Sequence, residues 1–446
     1  METVLQNTWS KSKLLIKGMI IGVIILILQI PAYYVRQLIE ERETTQQKAI
    51  AEVNSKWAGR QNVAGPLLVI PYWENENTPP NSVRTRHYAY FLPDQLNINA
   101  SVIPQERYRG IYKVMLYNSR ISFSGSFNQV ALEALKIAPE NVIWNECYVR
   151  FQLSDSKGLN DEVALNWNNE TLLLSPNTGN DPAADQGLTA PLKVTGIQDL
   201  QQIRFAASVN LNGSEQLLFT PLGKTTSVTL QSKWPHPSFM GDVLPQTTSV
   251  KDSGFTASWK SLAIKRSFPQ QWKDNQYVFN TGSKTAEGGT GNIYNAAFGT
   301  DLFIPVNGYQ KTMRSVKYAL LCILLTFASF FLIETSHQKS VHPFQYGLIG
   351  LALILFYTLL LSFSEYIGFN AAYGIASLAT IGLIAWFVKG LLVSGRLSLL
   401  MASILILVYT YVFSLLQLQD YSLLLGSVGL FISLGVIMYF SRKFQW

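Results

Sequence analysis

Along this chain the apolar positions follow two different rhythms, and the change between them divides the sequence. No residue from Met19 to Leu28 is charged or strongly polar. Five further stretches of the same character lie after residue 316. A membrane-crossing helix needs about 20 mostly apolar residues at about 1.5 Å each. Six stretches meet that length: about Leu14 to Tyr34, Lys317 to Ile333, Gln345 to Phe363, Phe369 to Leu392, Leu397 to Leu416 and Tyr421 to Phe440. Aromatic residues lie near at least one boundary of each, as interfacial anchors do. Between the first and second spans the rhythm is different. Leu96, Ile98, Ala100 and Val102 alternate with Asn97, Asn99 and Ser101, and Ile121, Phe123 and Phe127 alternate with serines. Alternation of period two predicts half-buried strands.

The segment that joins the two regimes, "RQLIEERETTQQKAIAEVNSKWAG" from Arg36 to Gly59, has no Pro or Gly before its end. Lys48 and Glu52 stand at i,i+4, and Ile50, Val53 and Trp57 recur at helical spacing. The first span is therefore predicted to continue as a stalk helix that stops at Gly59. Two readings of its Ile50/Val53/Trp57 face follow: a plain linker, or a contact face for a partner. Pro31, near the outer end of the span, removes one backbone donor and is a point where the helix can kink.

After Gly59, strands are predicted at "PLLVIP", "YVRFQL", "TTSVTL" and "FTASW". A run from Ile203 to Leu211 ends in Asn212-Gly213 before "SEQLLFT". Asn-Gly between two apolar runs predicts a hairpin. Loops are predicted at "ENENTPPNS", "SPNTGNDPAADQG" and "TGSKTAEGGTGN". The fold class is thus a membrane protein with six transmembrane α-helices and a β-rich, antiparallel, sandwich-like external domain. Residues 1–34 form a tail and anchor, 35–59 a stalk, 60–316 the β-rich domain and 317–446 a five-helix membrane domain.

Composition supports two environments, with 48% hydrophobic and 14% charged residues in 446. The formal charge of +7 raises the question of nucleic acid, and its placement answers it. Val35 to Val316 holds 26 Lys+Arg against 24 Asp+Glu, a net of +2; the rest holds 9 against 4, a net of +5, mostly beside the apolar spans. The basic balance marks membrane flanks, and a nucleic-acid partner is excluded. Lys11, Lys13 and Lys17 precede the first span, Lys339 lies between the second and third, Lys389 and Arg396 between the fourth and fifth, and Arg442 and Lys443 after the sixth. The alternate loops "SEYIG" and "QLQD" have no Lys or Arg. Both termini are then cytoplasmic and the β-rich domain is periplasmic. The first span is too long for a signal-peptide core, and "LQIPAYY" offers no small-x-small cleavage site.

Candidate chemistry is sparse. Cys147 and Cys322 fall in different regimes, which excludes a disulfide framework and a cysteine zinc site. "PLGKTT" ends like a phosphate-binding loop, but Leu218 stands where that pattern requires glycine. Ser154 and Lys157 form an S-x-x-K pair without the companion S-D-N and K-T-G motifs. His87, His236, His337 and His342 are scattered. No catalytic, metal or cofactor site is assigned. Glu334, Glu365, Lys389 and Asp420 lie at span ends, which disfavours an ion-coupled transporter. Gly18 and Gly22 form a G-x-x-x-G pair, a weak helix-contact signal.

One constellation brings charges to a common level. Arg36 leaves the first span, Lys311, Arg314 and Lys317 enter the second, and Glu365 and Asp420 occupy the two outward loops. One reading has the cations reaching lipid phosphates; the other pairs Glu365 and Asp420 with Arg36 or Arg314 as a clamp.

Beyond these patterns, "SKWAGRQNVAGPLLVIPYW", "LLFTPLGKTTSVTLQSKWPHPSF" and "HPFQYGLIGLALILFYTLLLSFSEYIGFNAAYGIASLAT" resemble the CreD family of inner-membrane proteins linked to cell-envelope integrity, and the likeness covers almost the whole chain. The resemblance implies a bacterial inner-membrane protein with a periplasmic domain, under two-component control, that affects tolerance of agents acting on the envelope. It implies no defined biochemical activity. Tyr366 replaces the histidine that the resemblance leads one to expect after "SE", which argues against a proton-handling role there. The function read here is non-enzymatic, acting through contacts with the bilayer and an envelope protein or lipid. The alternative is a lipid or small-molecule transporter or a membrane enzyme with an unrecognised site.

Overall fold

The computed structural model describes residues 2–78, 81–176, 187–279, 291–302, 308–337, 341–418 and 422–441. The chain falls into two compact units, Met1–Lys48 with Val306–Trp446, and Ala49–Pro305.

The first unit is helical: α1 (Glu2–Trp57), α2 (Gly308–Lys317), α3 (Ala319–Ser336), α4 (Pro343–Ile367), α5 (Phe369–Leu392), α6 (Gly395–Gln417) and α7 (Ser422–Ser441). Among the described residues, five helices, α1, α3, α4, α5 and α6, are long and apolar enough to cross a membrane. Helix α1 runs unbroken for 56 residues, with Pro31 inside it, so it begins in one unit and ends in the other. Leu28 of α1 packs on Gly350 of α4, where a Cβ would stand 2.2 Å from its methyl carbon. Glycine at 350 therefore sets how closely these two helices approach. Helix α4 starts on a capping box: the His342 ring accepts from the Phe344 amide, and the Gln345 side chain accepts from the His342 amide. Many apolar side chains face outward, among them Met19, Leu26, Ile30, Leu378, Trp386 and Leu407. Surface of this kind is solvated by lipid.

The second unit holds one curled 16-stranded sheet. Its path runs through Pro237–Gly241, Phe298–Leu302, Gln216–Phe219, Gln61–Thr78, Tyr148–Leu153, Gly187–Pro191 and Glu170–Pro176. It continues through Val163–Trp167, Ile203–Ser214, Tyr112–Phe127, Gln95–Arg109, Thr225–Ser232, Gly254–Leu262 and Thr247–Lys251. Asn81–Phe91 and Gln271–Lys273 add to it beside Gln61–Thr78. The two halves of the path face each other. Phe123 meets Phe151 with ring centroids 5.4 Å apart, Phe239 meets Phe255 at 5.7 Å, and Trp259 meets Phe298 at 5.8 Å. Alternation behaves as the pattern requires: Leu96, Ile98, Ala100 and Val102 are buried.

Three expectations are corrected. The main sheet is one continuous path curled so that its halves face each other, with a separate two-stranded sheet of Tyr277–Val278 and Gly291–Asn292, and it is mixed rather than antiparallel: Gln61–Val63 pairs in parallel with Leu217–Phe219, and Gln95–Val102 with Thr225–Ser232. Asn212-Gly213 is no hairpin turn. Both residues sit within a strand, paired with Asn118 and Tyr117. A Cβ at Gly213 would meet the Tyr117 hydroxyl at 2.2 Å, so close approach, and not a turn, requires the glycine. The chain bends instead at Glu215, at φ +59°, and passes to the other half of the sheet. Finally, "ENENTPPNS" is largely a long hairpin paired as far as Thr78 with Asn81. The "SPNTGNDPAADQG" and "TGSKTAEGGTGN" loops lie mostly outside the described residues.

Candidate functional site

In the helical unit a charged node joins three helices. The ammonium of Lys17 (α1) donates to Oε1 of Glu334 (α3) and to the carbonyl of Val341 at 2.7 Å. The same Oε1 accepts the Val341 amide at 2.8 Å, and Oε2 accepts the Tyr346 hydroxyl (α4) at 2.7 Å. Glu334 is 4% exposed. A charge buried in an apolar bundle is stable only when paired and hydrogen-bonded. Here three donors converge on one carboxylate, which makes it a structural junction. Sequence reasoning placed Lys17 among the membrane flanks and Glu334 at a span end. The available signal was a lone cation inside one apolar run and a lone anion at the end of another.

The outer charge group is rearranged from expectation. Glu365 accepts the Tyr309 hydroxyl at 2.8 Å, and Arg42 Nε lies 4.0 Å away. Among the described residues Glu365 pairs with neither Arg36 nor Arg314. The reason is axial position: Arg42 lies six residues beyond Arg36, about 9 Å further along a helix. Lys311 donates to Gln417 at 3.3 Å and lies 5.5 Å from the Phe369 ring centroid, while Arg314 and Lys317 are exposed. Arg36 keeps a buried Nε with no hydrogen-bond partner. Asp420 lies outside the described residues.

In the β-sheet unit the end of α1 is held by the unit's own residues. The Arg107 guanidinium sits 5.0 Å from the Trp57 ring centroid, Arg109 pairs with Glu52 at 3.0 Å, and Asn54 donates to Glu215 at 3.2 Å. Glu215 also pairs with Arg60 at 2.7 Å. The hydrogen bond from Lys56, and then the charge of Arg109, hold the Glu52 carboxyl below its usual range. Of the contact face read from sequence, Trp57 is thus engaged within the chain, while Ile50 and Val53 are half-buried.

The candidate reactive groups are otherwise occupied. The Ser154 hydroxyl accepts the Asn62 amide at 2.7 Å and donates to the Arg60 carbonyl at 2.9 Å, fastening the first strand instead of facing Lys157. Thr226 Oγ1 accepts the Gly223 amide at 2.9 Å, so "PLGKTT" closes on itself as a turn. His87 was missed as a partner: its Nδ1 meets Asp274 at 2.9 Å and its Nε2 meets Thr85 at 2.8 Å. Asp274 also accepts the Tyr88 amide at 2.9 Å, and Thr85 donates to the Glu74 carbonyl at 3.2 Å. The trio ties the 274–276 turn to the Asn81–Phe91 strand. Among the described residues no three His, Cys, Asp or Glu side chains gather as a metal site.

Apolar helices of membrane length together with a large β-rich domain define a multi-span membrane protein. The sequence matches the family described as "Inner membrane protein CreD" over residues 13–446. It is 33% identical over 427 residues to the Inner membrane protein CreD of Escherichia coli (strain K12), covering 95% of this chain and 91% of that one. The chain belongs to the CreD family. Among solved structures it is similar to an M1 zinc metallopeptidase of Deinococcus radiodurans, at 10% identity and a TM-score of 0.20, covering 44% of this chain and 50% of that one. A substrate-bound variant of that peptidase is similar at 10% identity and a TM-score of 0.21, over 71% and 86%. Likeness this slight carries no argument.

Proposed function

We propose that this protein supports cell-envelope integrity without catalysis, through contacts that its β domain makes on the periplasmic side of the inner membrane. In this reading α7 is a sixth span, both termini are cytoplasmic, and residues 1–34, 35–59, 60–316 and 317–446 serve as anchor, stalk, periplasmic domain and helical base. The observation that carries it is the alternation of basic loops with the acidic loops "SEYIG" and "QLQD", which lack Lys and Arg. Membership of the inner-membrane CreD family supports the setting. The commitment of Ser154 to Asn62 and Arg60 supports the absence of serine chemistry.

Reporter fusions test this reading. A periplasm-active enzyme fused after Gly254 should be active and one fused after Ser340 inactive. The reverse pair would place the β domain in the cytoplasm and overturn the proposal. Function is tested by restoring envelope tolerance to a deletion strain, where Ser154→Ala with Lys157→Ala should restore it as fully as the unaltered protein.

A further inference from the structure

On the solvent face of the curled sheet, four adjacent strands carry a row of hydrogen-bonding side chains that have no side-chain partner among the described residues. Ser101 pairs in register with Gln231, Gln231 with Thr256, and Thr256 with Ser249. Strands lie about 4.8 Å apart, so the row extends over about 14 Å. All four residues line a groove of about 430 Å³. Lys251, two residues past Ser249 on the same strand, and Lys233, just past the end of Thr225–Ser232, also line it. No carboxylate is among the lining residues; the nearest in sequence, Asp252, belongs to the Lys251–Gly254 turn. Among the described residues neither lysine has an ion-pair partner. Gly254, at φ +134°, lets this turn lie against the next strand, since a Cβ there would stand 2.1 Å from the Ser232 carbonyl oxygen.

A row of hydroxyl and amide groups repeating at about 4.8 Å offers donors and acceptors at close to the repeat of successive sugar units along an extended oligosaccharide, so that each strand can meet one unit's hydroxyl groups. Two unneutralised ammonium groups beside it favour a ligand that also carries negative charge. We infer that this groove binds an anionic saccharide, with Ser101, Gln231, Thr256 and Ser249 contacting sugar hydroxyls and Lys233 and Lys251 contacting carboxylate or phosphate groups. The site lies wholly within the β domain, so the inference stands apart from the membrane orientation proposed above.

The test uses the full-length protein in detergent, titrated calorimetrically with trigalacturonate, with uncharged maltotriose and with inorganic phosphate. Trigalacturonate should bind, and each of the other two should bind at least roughly tenfold more weakly, because each lacks one half of the recognition. The Lys233→Gln/Lys251→Gln double variant should reduce trigalacturonate affinity to the maltotriose level. Gln231→Leu should weaken both sugars without changing phosphate binding. Thermal melts of each variant should match the unaltered protein, as expected for exposed positions. No trigalacturonate binding at about 10 mM, equal binding of all three probes, or sugar binding indifferent to these substitutions in a normally melting protein would overturn the inference.

Discussion

At the scale of single residues, the most consequential contact is the one among Lys17, Glu334 and Tyr346. Removing one member of a buried ion pair leaves an uncompensated charge, at a cost of about 3 to 5 kcal/mol. Lys17→Ala should therefore lower the melting temperature and the abundance of the inserted protein. Glu334→Gln in the same background should recover much of the loss, since a neutral amide no longer needs the ammonium. A double variant no better than Lys17→Ala would remove the node from the account of stability. Asp301, in the β domain, offers the opposite case. Burial raises its carboxyl above the usual range, helped by nearby Glu215 and opposed by Arg60. A raised acid binds its proton more tightly in the folded state than in the unfolded one. Its charged form thus costs stability at neutral pH, and that cost disappears as pH falls through the raised value toward the ordinary carboxylate range. Asp301→Asn should raise the melting temperature at pH 7, with the difference from the unaltered protein shrinking on acidification. A difference that grows on acidification would contradict the assignment.

At the scale of elements, the strands were the most legible part of the chain. Alternation located the Leu96–Val102 part of Gln95–Arg109, and the runs "TTSVTL" and "FTASW" fall within Thr225–Ser232 and Gly254–Leu262, because each of these stretches has one face in the core and a period of two cannot serve otherwise. Partnership was not legible. Asn212-Gly213 carried a turn signal, yet its glycine answers to the Tyr117 ring on a neighbouring strand, a contact nearly a hundred residues away in sequence. The same limit applies to charges. Composition identifies Glu365 as an acid at a helix end, but only the packing of α2 and α4 gives it Tyr309. The ordering along α1 leads to a specific exchange: Glu365→Arg should impair function in a normally inserted protein, and Arg42→Glu should restore it. Rescue by Arg36→Glu instead would return the clamp to its sequence-based form. For the buried Lys17–Glu334 pair the residues were visible, but each looked like a membrane flank while its partner, 317 positions away, was unknown.

At the scale of the whole β domain, the two ends of the sheet path come from neighbouring parts of the chain. Pro237–Gly241 terminates one half and Thr247–Lys251 the other, with only residues 242–246 between them. Such a link spans at most about 20 Å. Its Asp242 amide donates to Ala297 in the first half, at 3.4 Å, and its Gln246 amide donates to Ser258 in the second, at 2.7 Å. An open sheet edge is a template on which another chain can add a strand, and isolated edges drive aggregation. Here a short covalent strap keeps each unpaired edge beside the other, so neither can swing away to recruit a foreign strand. Lengthening the strap with a Gly-Ser insertion between Val243 and Leu244 should leave the core intact and yet turn a monodisperse β domain, measured in the detergent-solubilised full chain by light scattering, into one that self-associates with time. The five residues from 242 to 246 would then serve as a safeguard of solubility for the most strand-rich part of the molecule.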